Sequence, residues 1–171
     1  MATYSGAPGV PIFYVGVPAS GVAQVETTPI VGTITGDGNA TFTITGAGIT
    51  GSPVAISVPV LNGDTPTVVA AKAAVVVNAN AAVAALYIAS SNAANFLLTA
   101  IKSAANDATL NIAYTNGTCT GLTPDATSDD TTAGVLGDFR GMDSGAVTID
   151  TTNKKVYQNT GSTYVPTWTL K

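Results

Sequence analysis

The chain of 171 residues contains no histidine. That removes the commonest general base and metal ligand at neutral pH, and with it the usual Ser-His-Asp and Cys-His catalytic arrangements. Cysteine occurs once, so neither an intramolecular disulfide nor a thiolate metal cluster can form. Cys119 lies in Gly117-Thr118-Cys119-Thr120-Gly121 and has no imidazole to activate it, so it reads as an inert thiol. Charge is scarce: 9% of residues, against roughly a quarter in an ordinary soluble domain. The basic residues are Lys72, Lys102, Arg140, Lys154, Lys155 and Lys171, and only two of them are adjacent. A nucleic-acid footprint needs a basic stripe, which is not there. The start, MATYSGAPGV, has no basic end followed by an apolar run, so folding in a cytoplasm is the expectation. No catalytic, cofactor-binding or metal-ligating residues are expected, and the chain is read as non-enzymatic.

Hydrophobic residues make up 46% of the chain, enough for one modest core and too many for a disordered one. With so few charges, the surface must be built of Thr, Ser, Asn and Gly. Such a surface loses water at less cost than a charged one. A monomer wearing it is prone to associate, which implies cover from partner subunits. The longest apolar run, Val68 to Ala89, is rich in Ala and interrupted by Lys72, Asn78 and Asn80. Ala adds little to membrane insertion and central Asn residues oppose it, so a buried helix is expected rather than a span.

Three segments are expected. Residues 1–31 form an extended arm in which Pro8, Pro11 and Pro18 forbid a helix. Its apolar residues Ile12, Phe13, Tyr14, Val15 and Val17 suit docking, either on a partner's sheet edge or as an edge strand of the same chain. Residues 32–133 form the body. Ala40–Thr45 and Val54–Leu61 alternate with the period of half-buried strands. Thr65 and Pro66 then open a helix running to about Leu86. Tyr87–Ala89, Asn95–Lys102 and Ala108–Tyr114 are strand material, and Asn116–Ala133 is a polar loop. The fold class is mainly β, α+β: a small antiparallel sheet with one long Ala-rich helix, in the order β-β-α-β-β. Residues 134–171 form a linker and a small hairpin module around Asp150-Thr151-Thr152-Asn153-Lys154. A lone hairpin is marginal in water, so this module needs the body or other copies.

Other patterns have plainer readings. Asp125, Asp129 and Asp130 do not match a calcium loop and suit a solvated, turn-capping segment. The Gly-rich stretches at 35–38 and 45–48 lack the Lys and Ser/Thr of a phosphate loop and read as hairpin turns. The motifs at Asn39 and Asn116 match the glycosylation pattern by coincidence in a chain expected to stay in the cytoplasm. Tyr157, Tyr164 and Trp168 are expected at an interface between or within chains, with stacking on sugars as the alternative.

The phrases GTITGDGNATFTITG, SPVAISVPVLNGDTPTVVAAKAA and SAANDATLNIAYTNGTCTGLTPDATS carry a resemblance. The segment from Gly32 to Asn111 resembles a module of tailed-bacteriophage structural proteins, including Mu-like tail sheaths. In that module a Gly-Asp-Thr turn leads into an Ala-rich helix, as at Gly63-Asp64-Thr65 here. The ending VTIDTTNKKVYQNTGSTYVPTWTLK looks like hairpin units of phage fibre and head-attached proteins. A tail sheath proper is larger and has further domains. The resemblance therefore implies an accessory virion protein, most like a capsid decoration (cement) protein on the outer shell. Its implied partners are itself, as a homotrimer, and the major capsid protein or another virion protein. A tail, neck or fibre component is the alternative within the virion, and a carbohydrate-binding module is the alternative outside it.

Overall fold

The computed structural model of the chain describes the backbone at 12–14 and residues 16–139 and 141–171. In chain order its elements are β1 (Ile12–Tyr14), β2 (Val25–Pro29), β3 (Gly38–Thr45), β4 (Val54–Val60), α1 (Pro66–Asn78), α2 (Ala81–Ala84), β5 (Tyr87–Asn92), β6 (Asn95–Ala100), β7 (Asn111–Thr115), β8 (Asp129–Thr132), β9 (Val147–Asp150), β10 (Lys155–Asn159) and β11 (Trp168–Leu170). The fold is mainly β with one principal helix, and the order β-β-α-β-β appears as β3-β4-α1-β5-β6. The chain divides into two compact units. One comprises Val25–Ile101 and Asp107–Thr132. The other comprises the described residues up to Gln24, then Lys102–Asn106 and Ala133–Lys171.

The larger unit holds two antiparallel sheets, ordered β5-β6-β2-β8 and β4-β3-β7. The strands expected in one small sheet are thus shared between two. Along β3 the burial alternates, with Ala40, Phe42 and Ile44 fully inside between threonines. Val58 and Val60 of β4, Ile112 and Tyr114 of β7, and Phe96 and Leu98 of β6 join them in one core. Phe42 meets Phe96 edge-to-face at 5.4 Å and stacks on Tyr114 at 5.7 Å, so one ring links the two sheets. The buried Tyr114 hydroxyl donates to the Pro29 carbonyl at 3.1 Å and accepts from Val31 N–H at 3.0 Å. That satisfies a polar group which would otherwise be costly inside.

The helix expected to reach Leu86 stops at Asn78. A second short turn, α2, begins where the Asn80 side chain accepts from the N–H groups of Ala82 and Val83. Asn80 therefore starts the second helix as its N-cap, two residues after the first ends. The stretch 116–123, the first part of the polar loop expected over Asn116–Ala133, is pinned to the chain around β2 and β3. Thr35 N–H reaches the Thr120 carbonyl, and Thr123 N–H the Val31 carbonyl, both at 2.9 Å. Gly121, at φ 111°, sits so close that a Cβ there would run into the Thr33 carbonyl oxygen.

Residues 25–29, inside the segment expected as an arm, form a strand whose alternate residues Glu26 and Thr28 are buried. It lies between β6 and β8. The reason is local: Val25-Glu26-Thr27-Thr28 is free of the glycines and prolines that punctuate the preceding residues.

The smaller unit is a four-stranded sheet in the order β1-β9-β10-β11. β1 pairs in parallel with β9, while β9, β10 and β11 form an antiparallel meander. Between β9 and β10 the Asp150 carboxylate closes the turn by accepting from Thr152 N–H at 2.9 Å, Asn153 N–H at 3.1 Å and the Asn153 amide at 2.7 Å. Lys154 takes the left-handed conformation at φ 55°.

Candidate functional site

The residues expected to make interfaces have different fates. β1 sets the backbone of Ile12, Phe13 and Tyr14 against Thr148, Ile149 and Asp150 in turn. Their side chains, and all of Val15, lie outside the described residues. Val17 is 60% exposed. Tyr157 and Trp168 are buried together with Met142 and packed against Phe139 and Ala146 in the smaller unit. Phe139 meets Trp168 edge-to-face at 5.8 Å, and the Trp168 indole N–H donates to the Asp138 carbonyl at 3.3 Å. Both rings therefore serve their own unit's core. Tyr164 is 52% exposed, with the Lys102 ammonium 4.8 Å from its ring centre.

The small core holding these aromatics is polar at its rim, and Asn159 organises it. Its amide donates to the Met142 carbonyl at 3.0 Å and its oxygen accepts from Gly161 N–H and Thr167 N–H at 3.0 and 2.9 Å. One buried side chain thus ties three stretches of chain together. Sequence reasoning missed it because an Asn at the end of a strand resembles any turn-former; its spacing to Gly161 was the only hint.

Further apolar side chains face solvent in the larger unit. Val75 on α1 is 71% exposed and Ile88 on β5 is 55% exposed, and Val31 and Leu61 are also exposed. α1 buries Val69, Ala70, Ala73, Ala74 and Val77 on one side, yet carries Val68, Ala71 and Val75 on the other. A helix that is apolar on both sides suits cover on both. The outward face of β5-β6-β2 is almost uncharged, with Ile88, Thr99 and Val25 in one row and Ser90, Leu97 and Thr27 in the next.

Burial and local hydrogen bonds act on several ionisable groups. Burial pushes the Asp64 carboxyl up, but the Lys72 ammonium and Leu61 N–H outweigh it and hold it below its ordinary value. Burial likewise raises Asp107, while the Thr109 hydroxyl and N–H and the Ala47 N–H bring it below normal. Asp150 is lowered first by the Asn153 side chain, against its burial, and then by backbone N–H groups including Gly16. Cys119 is buried, its thiol donating to the Asn116 carbonyl, and burial pushes it up, away from the reactive thiolate. Among the described residues no three Cys, Asp or Glu side chains are grouped to hold a metal ion, Asp125, Asp129 and Asp130 included. Among them, too, no helix is long and apolar enough to cross a membrane.

No protein-family description, curated protein or solved structure matches this chain.

Proposed function

We propose that this chain is a non-enzymatic structural subunit of a bacteriophage virion, and specifically a decoration protein on the outer capsid surface. It would act as a homotrimer that bridges copies of the major capsid protein. The observation that carries the reading is exposed aliphatic surface on a chain with very few charges, with Val17, Val75 and Ile88 the plainest cases. Removing such surface from water stabilises an assembly by about 25 cal/mol per Å², less the cost of association. Repetition of a modest contact over a shell then adds by multivalency. The proposed virion location rests on the resemblance of the 32–111 segment to phage structural modules. The sugar-stacking alternative gains little support, since Tyr157 and Trp168 face inward and leave Tyr164 alone.

Cryo-EM of intact particles carrying the protein tests the reading. Many symmetric copies on the head are expected. A few copies confined to the tail or one vertex would instead favour a tail, neck or fibre component. Removing residues 1–11, which precede β1, tests the start of the arm: shell binding should fall while the circular dichroism of the body is unchanged. Undiminished shell affinity would remove residues 1–11 from the contact.

A further inference from the structure

We propose that Asn78 is an edge guard: its side-chain amide occupies the open edge of β5 and prevents that strand from pairing with the β5 of a second copy of this chain. β5 is an outer strand of its sheet, and its sequence, Tyr-Ile-Ala-Ser-Ser-Asn, carries no charge and no proline. An exposed edge of that kind invites strand addition unless something blocks it. The other edges of the larger unit are closed by different means. β7 exchanges backbone hydrogen bonds with Asp125, and its Ile112 N–H goes to the Ser128 hydroxyl. β8 carries Asp129 and Asp130, and β4 contains Pro59.

β5 has the Asn78 amide instead. Its nitrogen donates to the Ala89 carbonyl at 2.8 Å, and its oxygen accepts from Ala89 N–H at 2.8 Å. These are the two bonds a neighbouring strand would make to that residue. In an antiparallel pair the bonding direction alternates, so Tyr87, Ala89 and Ser91 turn their backbone groups away from β6. Ala89 is the middle one of the three. A strand cannot dock along this edge without displacing the amide. The position of Asn78 as the last residue of α1 lets it reach sideways without breaking a helical turn. This inference does not depend on the chain being a virion protein.

The test compares the full-length protein with Asn78→Ala and with Asn78→Leu, which keeps the bulk but not the hydrogen bonds. Size-exclusion chromatography with light scattering reads the mass over a concentration series. Hydrogen exchange reads the amides of 87–91. Both variants are expected to form a species of twice the wild-type mass, with slowed exchange at Ser91 in that species. Adding Ser91→Pro removes the neighbouring outward donor and should return either variant to the wild-type mass. The proposal is overturned if folded variants keep the wild-type mass, if extra association survives Ser91→Pro, or if both variants unfold without forming a soluble larger species.

Discussion

At the scale of single residues, the asparagines of this chain do work that in many proteins falls to charged groups. Asn80 caps α2, Asn78 pairs with the β5 backbone, and Asn159 gathers three chain segments around it. A neutral amide both donates and accepts, so it can satisfy buried backbone without bringing a charge out of water. Asn80→Ala removes a cap that two N–H groups use, and should lower stability by about 1 kcal/mol. Urea denaturation of the variant checks this; an unchanged midpoint would mean that the α1–α2 junction is held by packing alone. Periodicity located the helix but not these roles. A hydrophobic pattern records which residues avoid water and is silent about where an amide points.

At the scale of elements, the clearest agreement between pattern and structure is β3–β4. Alternation marked Phe42 and Ile44 as one face of β3, and Val54, Ile56, Val58 and Val60 as one face of β4; all are buried except Val54, which is half-buried against the same core. The hairpin β9–β10 was likewise legible, because Asp150 through Lys154 is rich in turn residues. Its left-handed residue is Lys154, not glycine. Left-handed backbone costs a side-chain-bearing residue about 1–2 kcal/mol, while glycine loses about 0.5–1 kcal/mol more entropy on folding, so Lys154→Gly should gain a net of about 0.5 kcal/mol. A higher urea midpoint is the expected result, and a lower one would show that the lysine side chain contributes to the turn. β8 was not legible: Asp129-Asp130-Thr131-Thr132 has no apolar face, since it is exposed throughout and held by its pairing with β2.

At the scale of the whole molecule, the acidic groups set a pH window. Asp64, Asp107 and Asp150 are held below their ordinary 3.8 in the folded chain. A lowered folded value means that the unfolded chain binds protons first as pH falls. Their contribution is therefore complete above 3.8 and is lost as pH drops through the folded values. Tyr87 and Tyr114 are raised above 10.0, both chiefly by burial. Their contribution holds below 10.0 and fades as pH rises beyond it. Thermal midpoints should be flat between these limits and fall on both sides. Replacing Asp64, Asp107 and Asp150 together by Asn should lower the plateau and flatten the acid limb; an acid limb as steep as before would place the acid sensitivity in other groups.

Local physics in the sequence was enough to determine the β-rich class, the principal helix, the hairpins and the near absence of charge, because each depends on residue type at short spacing. The tertiary structure alone decided how those strands are shared between sheets. β2 reaches β6 and β8 across long stretches of chain, and β1 reaches β9 across most of its length. Strand partners are chosen by burial of the whole core, and no pattern within one segment specifies which distant edge will cover it. The same reason explains the aromatics. Tyr157, Tyr164 and Trp168 look alike in the sequence, and only the packing around Met142 determined that two turn inward and one remains at the surface.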